Sequence, residues 1–122
     1  MDYKSDVGLV LSHEGHEALK DLLKTLGRSA EAKALRSFLA SADIRRVDTK
    51  TKSAVWLWKA ICWNEDAPPS PAVSLLAQLL RTLPLEAYHF MRLGEYPDDA
   101  EEQGQFRSAP FHMRFLREIV IT

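Results

Sequence analysis

Apolar residues recur along this chain with two periods, and the switches between them lay out the elements. Tyr3, Ser5, Val7, Leu9 and Leu11 alternate with Lys4, Asp6, Gly8 and Val10. A period of two predicts a strand, and Gly8 inside it marks a bulge or a close approach. Ser12 fits a helix N-cap, with Glu14 and Glu17 near the positive end of the dipole. Leu19, Leu22, Leu23 and Leu26 then follow helical spacing until Gly27 stops them. Ser29 caps a second predicted helix with Ala32, Leu35, Phe38, Leu39 and Ala42 on its buried face. Residues 44–47 read as a short strand, and the polar run 48–52 returns the chain as a hairpin. Ser70-Pro71 supplies the N-cap and first residue of a third helix. Its stripe is Leu75, Leu76, Leu79, Leu80 and Leu83, and Pro84 ends it. A strand is predicted over 87–93 and a polar loop over 95–108. Met113, Phe115, Ile119 and Ile121 give one apolar face of a last strand, with Arg114 and Glu118 opposite. Arg117 interrupts the apolar side, as on an edge strand.

Residues 53–63, Ser-Ala-Val-Trp-Leu-Trp-Lys-Ala-Ile-Cys-Trp, depart from the pattern of a strand with one wet face. One set of positions holds Val55, Leu57, Ile61 and Trp63, and the other holds Trp56, Trp58, Ala60 and Cys62. Either the strand is covered on both sides, or one face waits for a partner. Two helices on one side and one on the other would cover it. Three on one side would leave Trp56 and Trp58, or Leu57 and Ile61, in contact with water. Contiguous exposed apolar area above a few hundred Å2 marks an interface. The fold class that follows is α+β: a single domain over 1–122, with one mostly antiparallel sheet of about five strands packed by about three helices.

A length of 122 residues suits one domain with a real core. A net charge of −1 speaks against a bulk electrostatic grip on nucleic acid or anionic lipid. Cys62 is the single cysteine and allows no internal disulfide. No apolar run approaches the ~20 residues that span a bilayer. Met1-Asp2-Tyr3-Lys4-Ser5-Asp6 lacks the basic-then-apolar order of a secretory signal, so a cytoplasmic location is expected.

Candidate chemistry is sparse. His13 and His16 open a helix three residues apart, whereas a zinc-protease helix sets two histidines four apart. No third ligand accompanies them. Cys62 could act as a nucleophile with His89 or His112, but it stands among Trp and Ile, where a thiol packs and stays inert. No Gly-x-Ser-x-Gly elbow or glycine-rich phosphate loop occurs. Glu95, Asp98, Asp99, Glu101 and Glu102 form the densest charge cluster, a solvated loop or a recognition loop for a basic partner. Arg45, Arg46, Lys50, Lys52 and Lys59 make the hairpin basic, and with Trp56 and Trp58 they hold the ingredients of a single-strand nucleic-acid platform. Asp48 and the near-neutral total disfavour nucleic acid. Tryptophan is enriched at binding hot spots, which makes Trp56 and Trp58 the expected apolar anchors.

The blocks Tyr3-Lys4-Ser5-Asp6-Val7, Trp56-Leu57-Trp58-Lys59-x-Ile61-x-Trp63 and Tyr88-x-Phe90-x-Arg92-Leu93-Gly94-Glu95-x-x-Asp98-Asp99-x-Glu101 resemble small uncharacterised proteins of bacteriophages and prophages. The resemblance implies a non-enzymatic accessory protein of a mobile element that binds and blocks a host protein or complex, anti-CRISPR proteins being one such class. No cofactor, metal or membrane is expected. Two other readings stand beside it. One is a small metal-binding or hydrolytic enzyme using His13, His16 and the acidic loop. The other is a homodimeric immunity-type or structural module joined through the doubly apolar strand.

Overall fold

A computed structural model describes residues 3–65 and 70–116. The chain runs β1 (Ser5–Leu11), α1 (His13–Leu26), α2 (Ala30–Ala40), β2 (Ile44–Val47), β3 (Ala54–Ile61), α3 (Pro71–Thr82), a 3-10 turn (Leu85–Ala87), β4 (Tyr88–Gly94) and β5 (Ala100–Gly104). The five strands form one sheet in the order β2-β3-β1-β4-β5, and every neighbouring pair is antiparallel. With three helices packed on it, this is the α+β fold that the apolar periods predict.

The helices start where the serines place them. Ser12, Ser29 and Ser70 each accept a backbone N–H of the first turn, from Gly15, Ala32 and Ala72 respectively. Each such bond satisfies a donor that has no partner inside the helix. Gly27 closes α1 at φ 61°, a left-handed conformation that glycine adopts without a Cβ penalty. All three helices lie on one side of the sheet. Leu19, Leu35, Leu39, Leu76 and Leu80 share a single core with Val7, Leu9, Leu11, Trp56, Trp58 and Phe90. Cross-strand pairing of Leu9 with both Trp56 and Phe90 puts these strand residues on one face.

The alternation along β3 does not persist to its end. Val7 pairs with Trp58, but Ser5 pairs with Ile61, so one extra residue enters β3 between them. Ala60 takes a left-handed conformation there, φ 53°. The bulge leaves backbone donors out of the ladder. Two carboxylates take them: Lys59 N–H donates to Asp43 Oδ2 at 2.7 Å and Ala60 N–H to Asp6 Oδ1 at 2.9 Å. Beyond the bulge the faces exchange. Ile61 packs on the core, and Trp63 reaches the helix side, 5.4 Å from Phe90 between ring centres. The expectation that Ile61 and Trp63 share a face with Leu57 fails for this reason.

The second face carries Asp6, Gly8, Val10, Val55, Leu57, His89, Met91 and Leu93, which follows from their pairing. No helix covers it. The extended segment 111–116 crosses it instead, and Met113 seats its sulfur over Gly8. A Cβ at Gly8 would come within 2.5 Å of that sulfur, so a larger residue there would require the Met113 side chain to shift. Two expectations are corrected here. The loop over 95–108 contains β5, and residues 105–116 form no strand. Ile119 and Ile121 lie outside the described residues.

Candidate functional site

The expected apolar anchors belong to the core. Trp56 is 2% exposed and Trp58 1%. Trp58 stacks on Phe38 at 4.6 Å and donates its indole N–H to the Phe38 carbonyl at 2.9 Å. Trp56 meets the His16 ring nearly at right angles, 5.9 Å between centres. Burying each indole contributes about 2–3 kcal/mol. Exposing both would forfeit much of the ~5–15 kcal/mol that keeps a domain folded. Neither Trp56 nor Trp58 is therefore presented on the surface.

The acidic residues do gather on one hairpin, β4–β5, but most are held internally. Asp99 is clamped by Arg92 through two bonds of 2.8 and 3.1 Å and accepts the Tyr3 hydroxyl at 2.6 Å. The Arg92 guanidinium, and after it the Tyr3 hydroxyl, lower the Asp99 carboxyl to about 2. Partial desolvation and the bond to Asp99 raise the Tyr3 phenol. Glu102 lies 2.7 Å from the buried His89 Nε2 and 3.4 Å from Arg107. Glu95 accepts the Lys4 backbone N–H at 3.1 Å. Glu101 is half-buried opposite Arg92, and Asp98 is exposed. The five acids thus form a braced hairpin on which Glu95, Asp98 and Glu102 are exposed.

His13 and His16 do not converge on a ligand. His13 lies 3.6 Å from Glu17, whereas His16 is half-buried against Trp56. Burial, and then the nearby Lys20 charge, lower the His16 imidazole below its ordinary value. Among the described residues no three of His, Cys, Asp and Glu gather as a metal-binding group. Cys62 is half-buried just past β3.

The basic hairpin is arranged differently. Arg45, Arg46, Lys50, Lys52 and Lys59 form no ion pair among the described residues. The two acids beside them are already engaged. Asp43 takes the Lys59 N–H, and Asp48 takes the Thr51 N–H and hydroxyl at 2.8 and 2.7 Å. Those Thr51 bonds hold the Asp48 carboxyl below the usual range.

β2 is the outer strand on this side, and all four of its residues are exposed. Ile44 is 40% exposed and Val47 50%, high for β-branched side chains in a strand. Ile44 stands cross-strand from Leu57. Leu57 in turn helps floor an open groove of about 560 Å3 between the sheet and residues 112–116. Met91, Leu93, Met113, Phe115 and Leu116 add to its apolar lining, and Lys59, Arg114 and Asp6 bring charge of both signs to it. Apolar surface therefore runs from the sheet edge into the groove, beside the cations of the hairpin. A short strand with consecutive charges is a sequence sign of an edge, but the sequence does not say what stands on its outer side.

No helix among the described residues is long and apolar enough to cross a membrane. No protein-family model, no curated protein and no solved structure matches this chain.

Proposed function

We propose that this protein is a binding module that works by covering a surface of a partner protein, with the β2 edge as its contact. The observation that carries this reading is the outer strand itself. It is exposed along its length, bears Ile44 and Val47 in solvent, and lies among five cations that form no ion pair among the described residues. The resemblance to phage and prophage proteins makes a host protein complex the expected target and occlusion the mechanism, an anti-CRISPR inhibitor being one instance. A homodimer through β2 is disfavoured, because pairing two copies of this strand sets arginine against arginine.

Affinity capture from a bacterial host lysate tests the reading when the wild-type chain is compared with the double variant Arg45→Glu/Arg46→Glu. Specific partners should be retained by the wild type and lost from the variant, while circular dichroism shows both folded. Equal retention by both chains removes the β2 edge from the function.

A further inference from the structure

We infer that the outer edge of β2 takes up an extended segment of the partner as a sixth strand, and that this segment carries two consecutive acidic residues flanked by apolar ones. The inference rests on the binding reading above and names the chemistry that the edge selects.

The backbone supplies the first part. Asp48 N–H bonds to the Ser53 carbonyl at 2.9 Å, which sets the phase of the β2–β3 ladder. In an antiparallel pair, residues alternate between facing the partner strand with both backbone groups and facing away. Ile44 and Arg46 are therefore turned toward β3. Arg45 and Val47 point their N–H and C=O groups outward, where β2 has no further neighbour among the described residues. A row of free donors and acceptors on an edge is a template for strand addition.

The side chains supply the second part. Ile44 and Arg46 pair with Leu57 and Val55 and so share the face crossed by residues 111–116. Arg45 and Val47 pair with Trp56 and Ala54 and share the helix face. Each face of the edge thus offers one arginine and one apolar side chain. Residues directly opposite on an added strand interact most strongly. An acid opposite Arg45 and another opposite Arg46 must be neighbours in sequence, because they lie on different faces. Apolar residues then fall opposite Ile44 and Val47. The complement of Ile-Arg-Arg-Val is apolar-acid-acid-apolar, and it reads the same in either strand direction. Asp43 and Asp48 flank the edge and confine the acid pair to its centre. Lys50, Lys52 and Lys59 add a positive field that steers an acidic segment toward it.

Other occupants fit less well. Single-stranded nucleic acid needs aromatic faces for stacking, and both tryptophans of this region are buried. On β5, the acidic edge strand of a second copy, Glu102 already meets His89 and Arg107, and Glu101 stands opposite Arg92.

The probe is a short fluorescent peptide with a Val-Glu-Glu-Val core, followed by anisotropy against the full chain. It should bind, weaken at least ~tenfold between roughly 50 and 500 mM salt, and weaken at least ~tenfold with Arg45→Glu/Arg46→Glu. A Val-Lys-Lys-Val peptide should not bind. N-methylation at alternate backbone positions distinguishes a ladder from loose charge attraction: one of the two methylation phases abolishes binding and the other is tolerated. Equal tolerance of both phases overturns strand addition. Tighter binding of a thymidine oligonucleotide overturns the choice of peptide. Concentration-dependent self-association lost in the same double variant overturns it in favour of a second copy. If the peptide fails while lysate capture still depends on Arg45 and Arg46, this inference falls and the binding module stands. If neither depends on them, both fall.

Discussion

The two outer strands of this sheet each carry a pair of consecutive like charges, Arg45-Arg46 on β2 and Glu101-Glu102 on β5. In sequence they look equivalent. In the fold they differ, because of what the neighbouring strand presents. β4 sets Arg92 opposite Glu101 and brings His89 within 2.7 Å of Glu102. β3 sets Trp56 opposite Arg45 and Val55 opposite Arg46. One edge is braced from within, and the arginines of the other form no ion pair among the described residues. The density of charge in a segment therefore does not reveal whether that charge is available. Its cross-strand neighbour does.

Four measurements would break or sharpen this contrast. The largest effect is expected from Arg92→Met, which removes the clamp on Asp99 and the bond to Ser5 Oγ. It should destabilise the fold by ~1–2 kcal/mol, allowing for partial solvent contact, read as a lower urea midpoint. Glu102→Ala should cost about 1 kcal/mol, since it leaves the buried His89 without its partner. A third test uses pH. The Asp99 carboxyl lies at about 2 in the folded chain against an ordinary 3.8, so it is depressed by folding. Its contribution is complete above about pH 4 and is lost as pH falls through about 2. Asp99→Asn should flatten the urea midpoint across that window, and an unchanged slope would show the clamp to be energetically idle. The smallest effect belongs to the other edge: Arg45→Glu/Arg46→Glu should stay within ~0.5 kcal/mol of wild type. A larger loss would mean that the arginines serve the fold.

Local signals carried much of the architecture. The three capping serines, the stop at Gly27 and the leucine stripe of α3 are contacts among near neighbours, and each stands where periodicity and capping place it. β5 was illegible for a different reason. Ala-Glu-Glu-Gln-Gly has no apolar face, and the strand exists through its ladder to β4 and the pairing of Glu102 with His89. The signal that could have found it is the turn composition of Tyr96-Pro97-Asp98-Asp99, where Asp99 N–H does bond to the Tyr96 carbonyl. The bulge at Ala60 was hidden because its support comes from Asp6 and Asp43, both distant in sequence. Replacing Ala60 with glycine should stabilise the chain by ~0.5–1 kcal/mol, by relieving the left-handed strain of φ 53°. Of the candidate site, the basic hairpin was visible and its free outer position was not. The tryptophans misled because an interface anchor and a core side chain share the same composition.

The seat of Met113 over Gly8 makes the covering of the second face sensitive to oxidants. A thioether fills that notch as an apolar knob, whereas a sulfoxide is polar and bulkier by one oxygen. Peroxide would therefore loosen the tail at a single atom, leaving the helix-packed core intact, and reductive repair of the sulfoxide would lay it down again. The glycine inside β1, the mark of a close approach, is here the socket that lets sulfur chemistry reach the far side of the sheet.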